Sequence, residues 1–290
     1  MAFRLGNLRF APDGAPRAAL LTATHAHDLA DLSGEPSLAS VGAAFRRPEV
    51  LHRLNEGLAD APHGVRLADT LFACPVPDAR KVFGIGKNYL DHATETGSVA
   101  PDAPMVFTKF PSALSGPFDP VELSGTMVDW EVELVVVIGT AGRRIPRDLA
   151  WSHVGALTLG QDISDRALQL SGNPPQFSLG KSFDGYAPVG PALCSPDLFD
   201  DPDDIELRCV VDGEEMQLGR TSEMIFDVPT LIAYLSDVCT LEVGDLIFTG
   251  TPAGVGIARG VFLRDGSIVE SSAEVIGTMR NHCVQGDRPT

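Results

Sequence analysis

Apolar and polar positions alternate with a period near two over much of the chain, and the strands this predicts are short. Residues 5–10 and 18–22 read as two strands joined through Pro12-Asp13-Gly14. Residues 205–211 place Ile205, Leu207, Cys209 and Val211 on one face, and Asp212-Gly213 is a two-residue hairpin signal. Helical spacing is rarer. Arg47-Pro48-Glu49 opens a helix with Leu51, Leu54 and Leu58 along one side. Asp227-Val228-Pro229 opens another, whose stripe of Leu231, Ile232, Leu235 and Val238 is expected in the core. Many strands, few long helices and repeated turns, with 29 Gly and 22 Pro, predict an α+β protein that is mainly β. Pro75-Val76-Pro77 interrupts both periodicities and divides the chain into a small strand-rich N-terminal domain, residues 1–74, and a larger domain, residues 75–290.

The stretch from Val128 to Gly139 carries the most chemistry. Its second half is a β-branched apolar run that reads as a buried strand, and its first half bears Glu131 and Glu133, two residues apart and so on one side. Two like charges leading into a buried strand repel each other and resist desolvation. A bound cation relieves both problems; a solvated strand end avoids them. Residues 154–160 form a second strand that breaks at Gln161-Asp162. With Asp162 the set becomes three carboxylates without a nearby Cys or His, which suits Mg²⁺, with Mn²⁺ or Ca²⁺ as alternatives, rather than zinc.

The formal charge of −17 argues against nucleic acid and anionic membranes as partners. It also means that an anionic substrate must be captured by local cations. The N-terminus lacks the apolar core of a signal peptide, and the apolar runs fall short of the roughly 18 residues a membrane span needs. Five scattered cysteines without a Cys-x-x-Cys pair favour neither zinc nor a disulfide framework and point to a reducing cytoplasm. His25-Ala26-His27 has no third ligand. Gly84 and Gly86 begin a dinucleotide fingerprint that Tyr89 breaks, and the glycine-rich loop of residues 249–256 lacks the ending of a phosphate loop, though its N–H groups could receive a carboxylate.

The Glu131-x-Glu133 strand, the spacing Asp162-x-x-x-Arg166-x-x-Gln169 and the segment Gly180-Lys181-Ser182-Phe183-Asp184, in that order, resemble the fumarylacetoacetate hydrolase family. The likeness runs from about Lys81 to Asn281, with an N-terminal domain like that of the longer members. It implies a mixed β-sandwich roll, a homodimer, and a metal held by Glu131, Glu133 and Asp162. By spacing alone, His92 and Glu95 are either a working dyad or an incidental pair on a solvated helix. The resemblance makes them the general base on a mobile lid, with Lys181 completing the catalytic set. Arg166, Gln169, Lys109 and Thr251 become substrate contacts, although Lys109 alone would pass for a surface lysine.

The implied reaction is hydrolysis of a C–C bond in an acylpyruvate-like β-diketo acid, through an enolate and a His92-activated water. The same electron sink serves 2-oxo acid decarboxylation of the oxaloacetate type, and isomerisation or dehydration. A non-catalytic metal-binding module is the remote alternative. One departure stands out: this chain has Asp165-Arg166-Ala167 where the family commonly has Ala before the arginine and Asp after it.

Overall fold

Alternate residues of the Val132–Ile138 strand enter two different cores. Val132, Leu134, Val136 and Ile138 join one apolar cluster, whereas Val135 and Val137 join the other. Burial on both faces explains why this run is continuously apolar. The computed structural model describes residues 2–60, 64–95, 97 and 99–286, with the backbone alone for 59–60. Within it, the strand lies between Val154–Gln161 and Leu246–Phe248, antiparallel to both. These belong to a wide mixed sheet that continues through Val82–Gly86 to Met105–Lys109 on one side and through Ala187–Cys194 to Arg4–Arg9 on the other. The strands before Pro75 thus extend the same hydrogen-bond ladder, with Arg4 opposite Cys194 and Leu5 opposite Leu193.

A second, five-stranded sheet holds Glu206–Val211, Glu214–Arg220, Ile268–Ala273 and Gly277–Gln285, with Val121–Leu123 at its edge. The larger core gathers Leu207, Cys209, Val269 and Met279 from this sheet, Val132 and Leu134 from the wide one, and Leu231 and Leu235 from the Val228–Val238 helix. The other core packs Leu5, Ala18 and Leu20 against Val41, Phe45, Val50 and Leu51 of the N-terminal helices. The result is the expected sheet-rich α+β sandwich. Asp212 and Gly213 both take positive φ, 52° and 85°, as a tight hairpin turn requires.

Two expectations change. The strand at 128–139 is interrupted: Val128–Asp129 pairs separately with Ser164–Asp165, and regular pairing resumes at Val132. Val238, placed in the core by its spacing, is 72% exposed, because the last turn of its helix leaves the apolar face that Leu231, Ile232 and Leu235 cover.

Candidate active site

The break in the strand is where the site forms. Glu131 and Val132 lose the ladder partners their N–H groups would otherwise have, and a buried N–H without an acceptor is costly. Two buried glutamines supply the acceptors: Gln161 Oε1 at 2.9 Å from Glu131 N, and Gln217 Oε1 at 3.0 Å from Val132 N. Gln217 belongs to the second sheet, so the junction of the two sheets fixes the carboxylates that follow. Asp162 N in turn donates to Glu131 O at 2.9 Å. Carboxylate oxygens of Glu131, Glu133 and Asp162 consequently lie within 4.8 Å of one another, all buried.

Three buried cations answer them. Lys181 Nζ lies 2.6 Å from both Glu131 Oε2 and Asp162 Oδ2, and Lys109 Nζ lies 2.5 Å from Asp162 Oδ1. Arg166 reaches Glu131 Oε1 at 2.7 Å, Asp129 Oδ2 at 2.8 Å and Gln169 Oε1 at 2.8 Å. Burial resists ionisation of Glu131, yet Lys181 and Arg166 outweigh it and hold its carboxyl well below the usual range. Glu133 goes the other way. Burial pushes its carboxyl well up, Asp162 and Glu131 add to the effect, and among the described residues it pairs with no cation and accepts only the Gly250 N–H at 2.8 Å. A buried, all-oxygen cluster with one carboxylate lacking a counter-charge fits a divalent cation.

The opposite wall carries the His92–Glu95 pair. On the Leu90–Glu95 helix, Glu95 Oε1 lies 2.9 Å from His92 Nδ1, so the carboxylate fixes the ring's orientation. Burial acts against Glu95, but hydrogen bonds from His92 and Gly254 N hold its carboxyl below the ordinary value. Gly254 has φ 108°, and a Cβ there would stand 1.9 Å from Met216 O, so only glycine lets this loop present its N–H. Between the walls lies a cavity of about 460 Å³, lined by His92, Glu95, Glu131, Glu133, Arg166, Gln169, Lys181 and Thr251 among others.

The sequence model of the fumarylacetoacetate hydrolase C-terminal family matches residues 81–284. The chain belongs to the fumarylacetoacetate hydrolase family. It is 42% identical over 221 residues, 75% of this chain and 70% of the relative, to the Homo sapiens mitochondrial oxaloacetate tautomerase FAHD2A. Among solved structures it resembles a fumarylacetoacetate hydrolase from Exiguobacterium antarcticum, with 34% identity, a TM-score of 0.83, and 98% and 100% of the two chains covered. The maleylpyruvate hydrolase from Sphingobium sp. SYK-6, solved with manganese(II) and pyruvate, matches at 28% identity and TM-score 0.81 over 98% and 100% of the chains. The cytoplasmic expectation is corrected by the mitochondrial relatives. Unpaired cysteines tell a reducing compartment from an oxidising one, not one reducing compartment from another.

Within this family member, eight of the ten residues singled out from the sequence line the cavity, and Asp162 and Lys109 stand behind it. Lys109 is 1% exposed and spends its ammonium on Asp162, which places it as a counter-charge rather than at the cavity wall. Thr251 lines the cavity, but its hydroxyl donates to Val132 O and accepts from Gln217, both at 2.8 Å. Asp165, the departure noted above, caps the Arg166–Gln169 helix by accepting from Leu168 N at 3.0 Å and accepts from Ser124 Oγ at 2.5 Å.

Asp129, Gln161 and Gln217 escaped the sequence reading. Asp129 is fully buried and accepts from Arg166 Nε and from the N–H groups of Gly256 and Ile257. Its signal was present, because Asp129, Glu131 and Glu133 extend one alternation by a further step. Nothing local marks Gln217, whose part depends on the meeting of two sheets.

Proposed function

We propose that the chain is a metal-dependent enzyme that moves a proton between carbon and oxygen of a small 2-oxo dicarboxylic acid of the oxaloacetate class, a keto–enol tautomerase. The observation that carries the reading is a single His–Glu dyad facing an all-oxygen acidic cluster across one cavity. Similarity to the oxaloacetate tautomerases supports it. A divalent ion held by Glu131, Glu133 and Asp162 would supply electrophilic stabilisation of the substrate's oxygens.

The chain's own residues do the rest. His92, oriented by Glu95, takes the proton from the carbon beside the keto group. The C–H electron pair becomes the new C=C bond, and the carbonyl pair moves onto oxygen. Lys181 stabilises that oxyanion, and a proton returned to it completes the enol. Arg166 holds Glu131 and Asp129 in register. Tautomerisation needs a base and an oxyanion partner and nothing further, whereas hydrolysis needs a positioned water as well. Hydrolysis of a C–C bond, expected from the sequence, is the second reading, favoured by the likeness to maleylpyruvate hydrolase. Decarboxylation would use the same electron sink.

The test follows enol-oxaloacetate by ultraviolet absorbance with Mg²⁺ or Mn²⁺ while carbon dioxide is measured in parallel. Loss of enol well ahead of gas release supports the proposal. An unaccelerated enol decay, with ¹⁸O from labelled water entering the acid released from maleylpyruvate, hands the case to hydrolysis.

A further inference from the structure

Four nitrogen bases line the cavity, and three are already engaged. His92 meets Glu95, Arg166 meets Asp129 and Glu131, and Lys181 meets Glu131 and Asp162. The fourth, Lys87, pairs with no carboxylate among the described residues. Lys81, Lys109 and Lys181 are all ion-paired, so in a protein of formal charge −17 a half-buried lysine at the wall of an acidic cavity, without a carboxylate partner among the described residues, is an exception.

The backbone at Lys87 is also exceptional. Its φ is 56°, a left-handed conformation that glycine adopts freely and a residue with a Cβ adopts under strain. The neighbouring residue holds it there. Asn88 Nδ2 donates to Thr249 O at 2.7 Å and to Phe226 O at 3.0 Å, and Asn88 Oδ1 accepts from Phe226 N at 2.8 Å. Strain over-determined in this way collects where a side chain must be aimed.

We propose that Lys87 receives the carboxylate remote from the keto group and so selects 2-oxo dicarboxylic over 2-oxo monocarboxylic acids. This rests on the reading of the site as one for 2-oxo acids. A dicarboxylate brings two negative charges past Glu95, Glu131 and Glu133. The cluster and Lys181 serve its 2-oxo end. The remaining wall is largely apolar, through Phe107, Leu170, Phe177 and Ile257, and cannot solvate the other carboxylate. Lys87 supplies the missing charge.

The experiment compares oxaloacetate with its 4-methyl ester, which keeps the chain and removes the distal charge. Proton exchange at C3 is followed by NMR in D₂O with Mg²⁺, for wild type, Lys87→Gln, Lys87→Arg and Lys87→Gly. Lys87→Gln should raise KM for oxaloacetate by about ten- to a hundredfold, the range of a charge-assisted hydrogen bond. It should leave kcat for both substrates, and KM for the ester, within about twofold. Lys87→Arg should recover most of the loss. Lys87→Gly relieves the backbone without restoring the charge and should be as impaired as Lys87→Gln. Equal KM changes for acid and ester, or wild-type KM in Lys87→Gly, overturn the proposal. If wild type leaves oxaloacetate untouched, the tautomerase reading fails, and calorimetric binding of 2-oxoglutarate against 2-oxopentanoate with Mn²⁺ decides Lys87 by itself. A dicarboxylate preference that Lys87→Gln abolishes supports its role, and no preference overturns it.

Discussion

The carboxylate cluster and the His92–Glu95 helix face each other across one cavity but are anchored differently. Glu131, Glu133 and Asp162 sit where two sheets meet, the backbone tied by Gln161 and Gln217 and the charges of Glu131 and Asp162 by Lys109, Lys181 and Arg166. Moving Glu131 or Asp162 disturbs several buried hydrogen bonds at once. The Leu90–Glu95 helix has six residues, too few to persist by itself, and Leu90 at its start is 61% exposed. It is docked by the burial of His92 and Ala93 and by Glu95 on the Gly254 N–H. The carboxylate half is therefore built by the tertiary scaffold, while the His92–Glu95 pair rides on an element that can be removed without dismantling it. The two halves should fail separately.

The largest expected effect is on the scaffolded half. Chelation should abolish turnover, and Mg²⁺ or Mn²⁺ should restore it, with the fold intact by circular dichroism; full activity in a rigorously metal-free sample would refute the assignment. Next comes the docked half. His92→Ala should lower kcat by about two to four orders of magnitude, the usual contribution of a positioned base. Metal affinity, titrated calorimetrically, should move by less than about threefold. If His92→Ala instead abolishes metal binding, the two halves are not separable and the comparison breaks.

How legible each half was in the sequence follows from the same contrast. The alternation at Glu131 and Glu133 and the strand end at Asp162 are local patterns, and the cluster they predict is present as a cluster. The two-faced burial of Val132–Ile138 was likewise readable from its apolar run. What stayed hidden is tertiary. Gln217 lies 85 residues beyond Val132 and meets it only because the second sheet folds over the first. Lys109 looks like a solvated lysine until the fold wraps it around Asp162. Lys87 gives no sequence signal, because its left-handed φ is imposed by the contacts of Asn88 with Thr249 and Phe226. His92 and Glu95 could be paired by helical spacing, but their docking needed Gly254, some 160 residues away.

Asp162→Ala should separate the scaffold's structural and chemical duties. It strips Lys109 of its carboxylate and Lys181 of one of two, leaving buried ammonium charge poorly compensated. Breaking a buried pair from one side costs about 3–5 kcal/mol. The denaturation midpoint of the metal-free variant should fall accordingly, and metal affinity should collapse with it. An unchanged midpoint would mean that the lysines escape to solvent and that the cluster is less rigid than its hydrogen bonds indicate.

Glu133→Gln should do the reverse within the same cluster, with the smallest effect. Glu133 is fully desolvated, lies against Glu131 and Asp162, and has only the Gly250 N–H to stabilise its charge. Without metal its ionised form is disfavoured by burial and by its acidic neighbours, and an amide of the same shape avoids that cost while still accepting from Gly250. The metal-free variant should therefore be more stable than metal-free wild type, by less than the loss expected for Asp162→Ala. The metal must reverse that order. Mg²⁺ or Mn²⁺ should stabilise wild type strongly and the variant little, so the two melting curves should cross as metal is added. Curves that keep their order at every metal concentration would mean that Glu133 does not hold the ion, and would leave Glu131 and Asp162 as a pair neutralised by Lys109, Lys181 and Arg166.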